Sequence, residues 1–484
     1  MKLNDLLNDI PHEMIQAGDC EITSVVIDSR KVKPGALFIC QRGLTVDGHK
    51  YIESAVKAGA SAIMIEDKNA AYPTGIAVIY VENSRKATAT IAANFYNHPA
   101  KKLRLIGVTG TNGKTTTTCF IEEILRHCGR KTGLIGTVGA KIGNQPMDIA
   151  FETSTTPDQL ELHEIFAKML KAGVQDVVME VSSHALALYK MEGLIFDVGV
   201  FTNLTQDHLD FHGTMENYRL AKAQLFTQSR YAVVNADDDS TPTMLEHHGD
   251  NPYTTYSIQR ESDLQAIHIG LRPKVTGFSV VQGSRKYVFH LYPKGTFNIY
   301  NALAAIGTAQ ALGLDMDKVE LEAVPKISGV PGRIQHVPNS RDLSVFVDYA
   351  HSPDGLENII SSVREFTQGR VITIFGCGGD RDKVKRPIMG RIAGEMSDFC
   401  ILTSDNPRTE DPMFILAQVE EGTRETKTPY EVIENRREAI FRGVEMLKPE
   451  DSLIIAGKGH EDYQILGTTK HHFSDYEVAA EALV

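Results

Sequence analysis

The run Gly110-Thr111-Asn112-Gly113-Lys114-Thr115-Thr116 has the residue types that could hold a polyphosphate. Glycines let backbone N–H groups approach phosphate oxygens, a lysine places a charge on the β- and γ-phosphates, and a threonine hydroxyl can ligate Mg²⁺. The standard loop has a further glycine upstream, where this chain has Val108. The shortened GxxGKT string arises often by chance, so its flanks must carry the argument. Glu180 ends the apolar run Val177-Val178-Met179. Beside a phosphate loop such a carboxylate can bind Mg²⁺ directly or through water, whereas alone it reads equally well as a solvent-facing acid. Asp207, His208, Asp210 and His212 place two imidazoles and two carboxylates within six residues. Without a cysteine or a helical HxxxH partner, zinc is disfavoured, and one imidazole joining carboxylates around a second Mg²⁺ is the better reading. Four more polar groups recur later: Asp348-Tyr-Ala-His351, Asp380-Arg381-Asp382-Lys383, Asp405-Asn406-Pro407-Arg408 and Gly457-Lys-Gly-His460-Glu461.

These residues need elements to position them. An apolar run, Leu103 to Val108, precedes the glycine loop, and Phe120, Ile121, Ile124 and Leu125 follow at helical spacing. Strand, loop and helix start is the setting a phosphate site requires. Residues 1 to 98 alternate candidate strands (24–27, 36–39, 62–65, 77–81) with helical patterns at 51–59 and 85–96. Asp28-Ser29-Arg30 follows the first of these strands; taken alone it is an ordinary loop. From 99 to 330 the chain reads as a second α/β domain, with a strand at 196–201, a small antiparallel hairpin over 273–292 and a helix over 298–312. Ser328-Gly-Val-Pro-Gly332-Arg333 looks like a linker. Beyond it, 331–484 carries strand-like runs at 344–347, 371–375, 399–402 and 452–456, the pattern of a doubly wound sheet. The four late polar groups fall at the ends of those four strands and should line a cleft. Gly376-Cys-Gly378-Gly379-Asp380-Arg381 fails as a dinucleotide fingerprint at Arg381.

Composition bounds the function. A chain of 484 residues exceeds one core, and roughly two to four domains are expected. A net charge of −12 argues against a general nucleic-acid or membrane-surface binder. The six cysteines form no CxxC pair or disulfide-rich spacing, as in a reduced cytoplasmic protein. No apolar run approaches membrane-spanning length.

Taken with TGTNGKTTT, EVSSHAL, FTNLTQDHLDFHG, FNIYNALAA, VPGR, DYAHSPD, GCGGDRDKVKRP, SDNPRTEDP and AGKGHEDYQ, the chain resembles the Mur ligases over its whole length. These enzymes use ATP to add amino acids to the cell-wall precursor UDP-N-acetylmuramic acid. The resemblance implies three domains: a small α/β UDP-sugar domain (1–98), a central ATPase domain with a small antiparallel sheet (99–330), and a Rossmann-like amino-acid domain (331–484). It points to the branch that adds the third residue, joining meso-diaminopimelate to UDP-N-acetylmuramoyl-L-alanyl-D-glutamate in the cytoplasm, with ATP and Mg²⁺. It implies a monomer that neither binds nucleic acid nor enters a membrane. The implied ATP contacts are residues 110–116 with Asn301, Arg333, Asp348 and His351. The implied UDP-dipeptide contacts are Ser29, Thr155, Thr156, Ser182 and Lys190, the last an arginine in many relatives. Glu180, His208 and Thr115 would hold metal together with Lys222, which matches a lysine the family carbamylates. Arg381, Asp405, Asn406, Pro407, Arg408, Gly457 and Glu461 match the site for the incoming amino acid. In the family the string DNPR accompanies diaminopimelate.

Other readings share parts of this pattern. L-lysine could be the amino acid added instead. A folylpolyglutamate synthetase has a related phosphate loop but lacks such a first domain and the DNPR string. A GTPase would need a guanine-reading Asn-Lys-x-Asp, which is absent, and an oxidoreductase would need the broken glycine fingerprint.

Overall fold

The structure, a computed structural model, describes the chain except Asp19, Leu44, Thr45, 150–154 and 272–274. It divides into two compact units, Met1–Gln265 with Leu303–Val319, and Ala266–Ala302 with Glu320–Val484.

The first unit holds two sheets. The N-terminal sheet has five strands in the order Glu13–Gln16, Ala77–Tyr80, Ala60–Ile65, Ala36–Ile39, Ser24–Val26. All pairings are parallel except the first. Side chains alternate between its faces: Leu37, Ile39, Met64 and Ile79 enter one core, and Phe38, Ile63, Ile65 and Val78 the other. A parallel sheet covered on both sides needs such continuous apolar strands. In the second sheet Arg104–Thr109 lies between Val198–Phe201 and Asp176–Glu180, parallel to both. Thr132–Gly136 extends it on one side; Ala232–Asn235 and Tyr253–Ser257 extend it on the other. The helix Lys114–His127 follows the central strand, burying Phe120, Ile121, Ile124 and Leu125.

In the second unit, Thr276–Gln282 and Arg285–Leu291 form the expected antiparallel hairpin, paired through Gln282 and Arg285. Positions 273 and 274 of that prediction lie outside the described residues. The C-terminal sheet has the order Gln335–His336, Ser344–Asp348, Ser452–Ala456, Val371–Phe375, Phe399–Leu402, Tyr430–Val432. It is parallel except for the first strand. Helices Pro353–Arg364, Lys385–Met396 and Pro412–Arg424 contribute to the core on one face, and Arg436–Glu445 and Asp475–Ala482 to the core on the other. This is the doubly wound arrangement read from the sequence.

Most element boundaries shift by one or two residues, as where the strand expected over 62–65 begins at Ala60 and the helix expected over 298–312 begins at Thr296; two other shifts have a visible cause or form. The strand predicted over 196–201 begins at Val198, and Phe196 makes only an isolated bridge to Ser229. Asp197 explains the delay, because its carboxylate accepts from Leu105 N (2.9 Å) and pairs with Arg230 (2.9 Å). The helical pattern at 51–59 is an α-helix only over Ile52–Lys57, preceded by a 3₁₀ turn, Gly48–Tyr51, capped by Asp47. All six cysteines are free thiols. Among the described residues no helix is long and apolar enough to cross a membrane.

Candidate active site

The order of the central strands places three chain segments at one sheet edge. The glycine loop leaves Arg104–Thr109, Glu180 ends one neighbouring strand, and Thr202-Asn203 follow the other. Asn203 shapes the loop: its carbonyl accepts from Thr111 N (2.8 Å) and its side-chain oxygen from Asn112 N (2.9 Å). Gly110 cannot be replaced cheaply, since a Cβ there would collide with Thr202 Oγ1. Gly113 adopts a left-handed φ of 81° at the helix start, a conformation glycine takes without strain. Lys114 Nζ is held inside the loop by the carbonyls of Gly110 (2.9 Å) and Thr111 (2.8 Å). Thr115 and Thr116 stand in the first turn of the helix.

Glu180 is not a solvent-facing acid. It is 1% exposed and accepts from Thr115 Oγ1 (3.1 Å) and from Thr137 N (2.8 Å). Thr156 Oγ1 donates to the Glu180 carbonyl (3.0 Å) and receives Ser182 N (3.1 Å), so Thr156 and Ser182 belong to the same cluster. Thr155 reaches it through Thr137, with hydroxyls 3.5 Å apart. Lys190 pairs with Asp158 at 2.6 Å. Ser29 starts a 3₁₀ turn capped by Asp28.

Lys222 is the unexpected feature in this unit. It lies on the helix Met215–Thr227, is 1% exposed, and donates to the Gly110 carbonyl (2.7 Å) over the ring of Tyr218 (4.3 Å). Burial pushes its ammonium well below the usual lysine range, and the charge of Lys114 adds to the shift while Asp207 opposes it. His208 is half-exposed beside Asp207 (3.5 Å), and its ring lies 4.8 Å from that of His184. His212 is buried against Ser183 Oγ (2.9 Å), and burial pushes its imidazole down to about 4. Among the described residues no three or more His, Cys, Asp or Glu gather as a metal-holding group, so the grouping of Asp207, His208, Asp210 and His212 around an ion is not formed.

In the second unit the four expected polar groups follow four consecutive strands of the C-terminal sheet. Asp348 accepts Ile334 N and Ala350 N (both 2.8 Å); burial pushes its carboxyl up, opposed by Arg333. Arg333 and His351 both contact the Tyr349 ring, at 5.4 and 4.7 Å. Asn301 is buried on the helix Thr296–Ala311, donating to Asn298 (3.1 Å). Asp405, Asn406 and Pro407 are buried, Gly457 takes φ +124°, and Arg381 is exposed. Asn406 Nδ2 donates to Glu461 (3.2 Å). Arg408 donates from Nη1 to the carbonyls of Gly379 (2.8 Å) and Asn406 (3.4 Å).

Several buried charged groups have roles that the motifs do not disclose, although Arg386 and Lys458 lie within two of them. Arg386 is 0% exposed and holds Glu410 (2.9 Å) and the Gly378 carbonyl (3.2 Å), so it ties the loop after one strand to the loop after the next. Arg436 pairs with buried Asp475 (2.7 Å) and braces the Ser404 and Ala456 carbonyls. Lys458 lies buried between Asp405 and Glu461. Their charges alone suggest surface residues; only the apolar strands on either side hint that they turn inward.

Comparison with known proteins agrees with this geometry. Residues 21–96 match the description "Mur ligase family, catalytic domain", 108–309 "Mur ligase middle domain", and 332–459 "Mur ligase, glutamate ligase domain". A UDP-N-acetylmuramoyl-L-alanyl-D-glutamate–2,6-diaminopimelate ligase of Caldanaerobacter subterraneus subsp. tengcongensis is 46% identical, covering 100% of this chain and 99% of that protein. One of the same name from Clostridioides difficile is 44% identical over 100% of this chain. A solved structure of a ligase of that name superposes with a TM-score of 0.71 at 32% identity, covering 96% of this chain and 94% of the other. A MurF ligase from Thermotoga maritima in complex with ADP shares the fold at 17% identity, with a TM-score of 0.59. The chain belongs to the Mur ligase family.

Proposed function

We propose that the chain is an ATP-dependent ligase that joins meso-diaminopimelate to UDP-N-acetylmuramoyl-L-alanyl-D-glutamate, in cytoplasmic synthesis of a cell-wall precursor. The observation that carries this reading is full-length identity of 46% and 44% with ligases of that name. The segments 1–98, 99–330 and 331–484 serve the UDP-sugar, ATP and the amino acid in turn, and the enzyme acts as a monomer. Ser29, Thr155, Thr156, Ser182 and Lys190 contact the UDP-dipeptide.

A carboxylate resists attack by an amine, so it must first be activated. A D-glutamate carboxylate oxygen attacks the γ-phosphorus of ATP; a P–O bond forms, the bond to the bridging oxygen breaks, and ADP leaves. The amine of the diamino acid then attacks the acyl carbon. A C–N bond forms, phosphate departs, and the amine gives up a proton. Both steps build charge on phosphate oxygens, so positioning and charge neutralisation do most of the work. Backbone N–H groups of 110–116 and the Lys114 ammonium meet that charge, with Asn301, Arg333, Asp348 and His351 as further nucleotide contacts. The Thr115 hydroxyl and the Glu180 carboxylate converge at 3.1 Å, a pair of hard oxygen donors. Two such donors suit Mg²⁺, which usually takes one or two protein oxygens and completes its shell with phosphates and water. When bound, Mg²⁺ offsets phosphate charge. A second ion would be held by His208 and by Lys222, the latter as a carbamate. A neutral amine is what adds to CO₂, and burial favours that neutral form.

The test is phosphate release from ATP with UDP-N-acetylmuramoyl-dipeptide and a panel of amino acids. Release should require both the dipeptide and diaminopimelate. Release without the dipeptide would remove the ligase reading, and equal rates with L-lysine would remove the amino-acid assignment alone.

A further inference from the structure

Lys458 is 0% exposed, although a lysine is among the residues least often fully buried. Its Nζ donates to Asn406 Oδ1 (3.2 Å) and lies 3.5 Å from Asp405 Oδ1 and 3.6 Å from Glu461 Oε2. One ammonium therefore faces two carboxylates and one amide oxygen on the loops after Phe399–Leu402 and Ser452–Ala456. Asp405 Oδ1 is buried and accepts no hydrogen bond among the described residues, and the ammonium 3.5 Å away is the cation closest to that oxygen, with buried Arg436 adding to the offset of the charge.

The backbone is built to deliver this lysine inward. Gly457 and Gly459 flank it at φ +124° and +56°, and a Cβ on Gly459 would press on Tyr349 at 2.6 Å. The orientation of Asn406 depends on Lys458 as well. Ile465 N donates to Asn406 Oδ1 (2.9 Å) and Lys458 donates to the same oxygen, which leaves Nδ2 to reach Glu461. The backbone donor decides which end of the amide is oxygen, independently of side-chain assignment. Remove the ammonium, and two carboxylates remain in a poorly solvated pocket, with buried Arg436 as the cation near both and that guanidinium already paired with Asp475. They would then separate or draw in water, carrying Asn406 with them.

We infer that Lys458 is a positioning residue that fixes Asp405, Asn406 and Glu461 in the arrangement that receives the ammonium-bearing amino acid. The inference rests on the proposed function, which assigns those three residues to the incoming diamino acid. It adds a specific cause for their geometry. A lysine that served only the fold would lower stability without singling out one substrate.

The experiment measures Michaelis constants for all three substrates, and kcat, in wild type, Lys458→Met and Lys458→Arg. The wild-type arm tests the proposed function by itself: activity with a diamino acid must be present before the variants are read. Lys458→Met should raise KM for that amino acid at least tenfold and leave KM for ATP and for the UDP-dipeptide within twofold. Lys458→Arg should recover part of the loss by restoring a buried cation. An unchanged amino-acid KM, or equal increases for all three substrates, would overturn the inference while leaving the ligase reading intact. If Lys458→Met does not fold, Lys458→Arg decides. A selective rise in amino-acid KM supports the role, because a planar fork cannot reproduce a point donor, and no rise or a uniform one rejects it.

Discussion

A lysine and an arginine show what a single residue type leaves open. A lysine on a helix is ordinarily solvated, yet Lys222 is buried beside the Gly110 carbonyl, with its ammonium destabilised by burial. Sequence could not supply that, since helix periodicity places Lys222 on a face without saying what covers the face. If Lys222 works as a carbamate, Lys222→Ala should abolish ligation and short carboxylates such as acetate should partly restore it. Full activity in the variant without additive would refute the role. Arg408 has two acids close to it in sequence, Glu410 and Asp411, with which a surface arginine could pair. Glu410 is instead engaged by Arg386, and Asp411 caps the helix Pro412–Arg424. Arg408 holds only neutral carbonyls among the described residues and keeps a left-handed φ of 52°. A guanidinium without a protein carboxylate suits the second carboxylate of diaminopimelate, and truncating such a pair typically costs about 2–5 kcal/mol. Arg408→Ala should raise KM for diaminopimelate well over tenfold with KM for ATP nearly constant. Arg408→Lys, keeping charge but losing the fork, should fall between; an unchanged KM in both would end this assignment.

Among the elements, buried apolar strands declared themselves, and of the short edge strands Ser24–Val26 did while two others did not. Val371–Phe375, Phe399–Leu402 and Ser452–Ala456 match their sequence boundaries because each is buried but for Phe399 and is bounded by a polar residue or glycine. Glu13–Gln16 and Tyr430–Val432, with three half-covered residues each and none buried, carry too little period to be recognised. Nor could periodicity show what ties the loops beyond the strands. The helix Lys385–Met396 contributes buried Arg386, whose hydrogen bond to Glu410 is the main cause holding that carboxyl down at about 2; Asp380 N and Lys383 assist. A folded-state value below the ordinary carboxylate range means the contribution to stability is complete above that range and is lost as pH falls towards about 2. Glu410→Gln should therefore melt below wild type at neutral pH, and the gap should narrow as pH drops below the ordinary range. Thermal unfolding followed at a series of pH values reads this directly. A gap that stays constant to the acid end would mean that the carboxylate charge is not what stabilises the loops.

For the whole molecule, hydrophobic cores decide what can stand alone. The cores on the two faces of the C-terminal sheet draw their buried members from Val337 to Leu483. The break suggested by Ser328–Arg333 is therefore compatible with independent folding of 331–484, although the compact unit also takes in Ala266–Ala302. That extra segment contributes specific contacts within the unit. Lys294 lies over the rings of Phe346 (5.1 Å) and Phe366 (5.5 Å), and Thr296 N donates to Glu365 (3.1 Å). Losing two cation–π contacts and one hydrogen bond should cost roughly 1–3 kcal/mol, against about 5–15 kcal/mol for a typical domain. A fragment of 331–484 should accordingly fold, with cooperative unfolding and native-like circular dichroism. Its midpoint should lie roughly 2–10 °C below that of a 293–484 fragment, which regains those contacts. Equal midpoints would mean the Lys294 and Thr296 contacts add little to stability. A 331–484 fragment with no cooperative transition, beside a 293–484 fragment that has one, would show that the two C-terminal cores depend on the preceding segment and that the break lies upstream of residue 331.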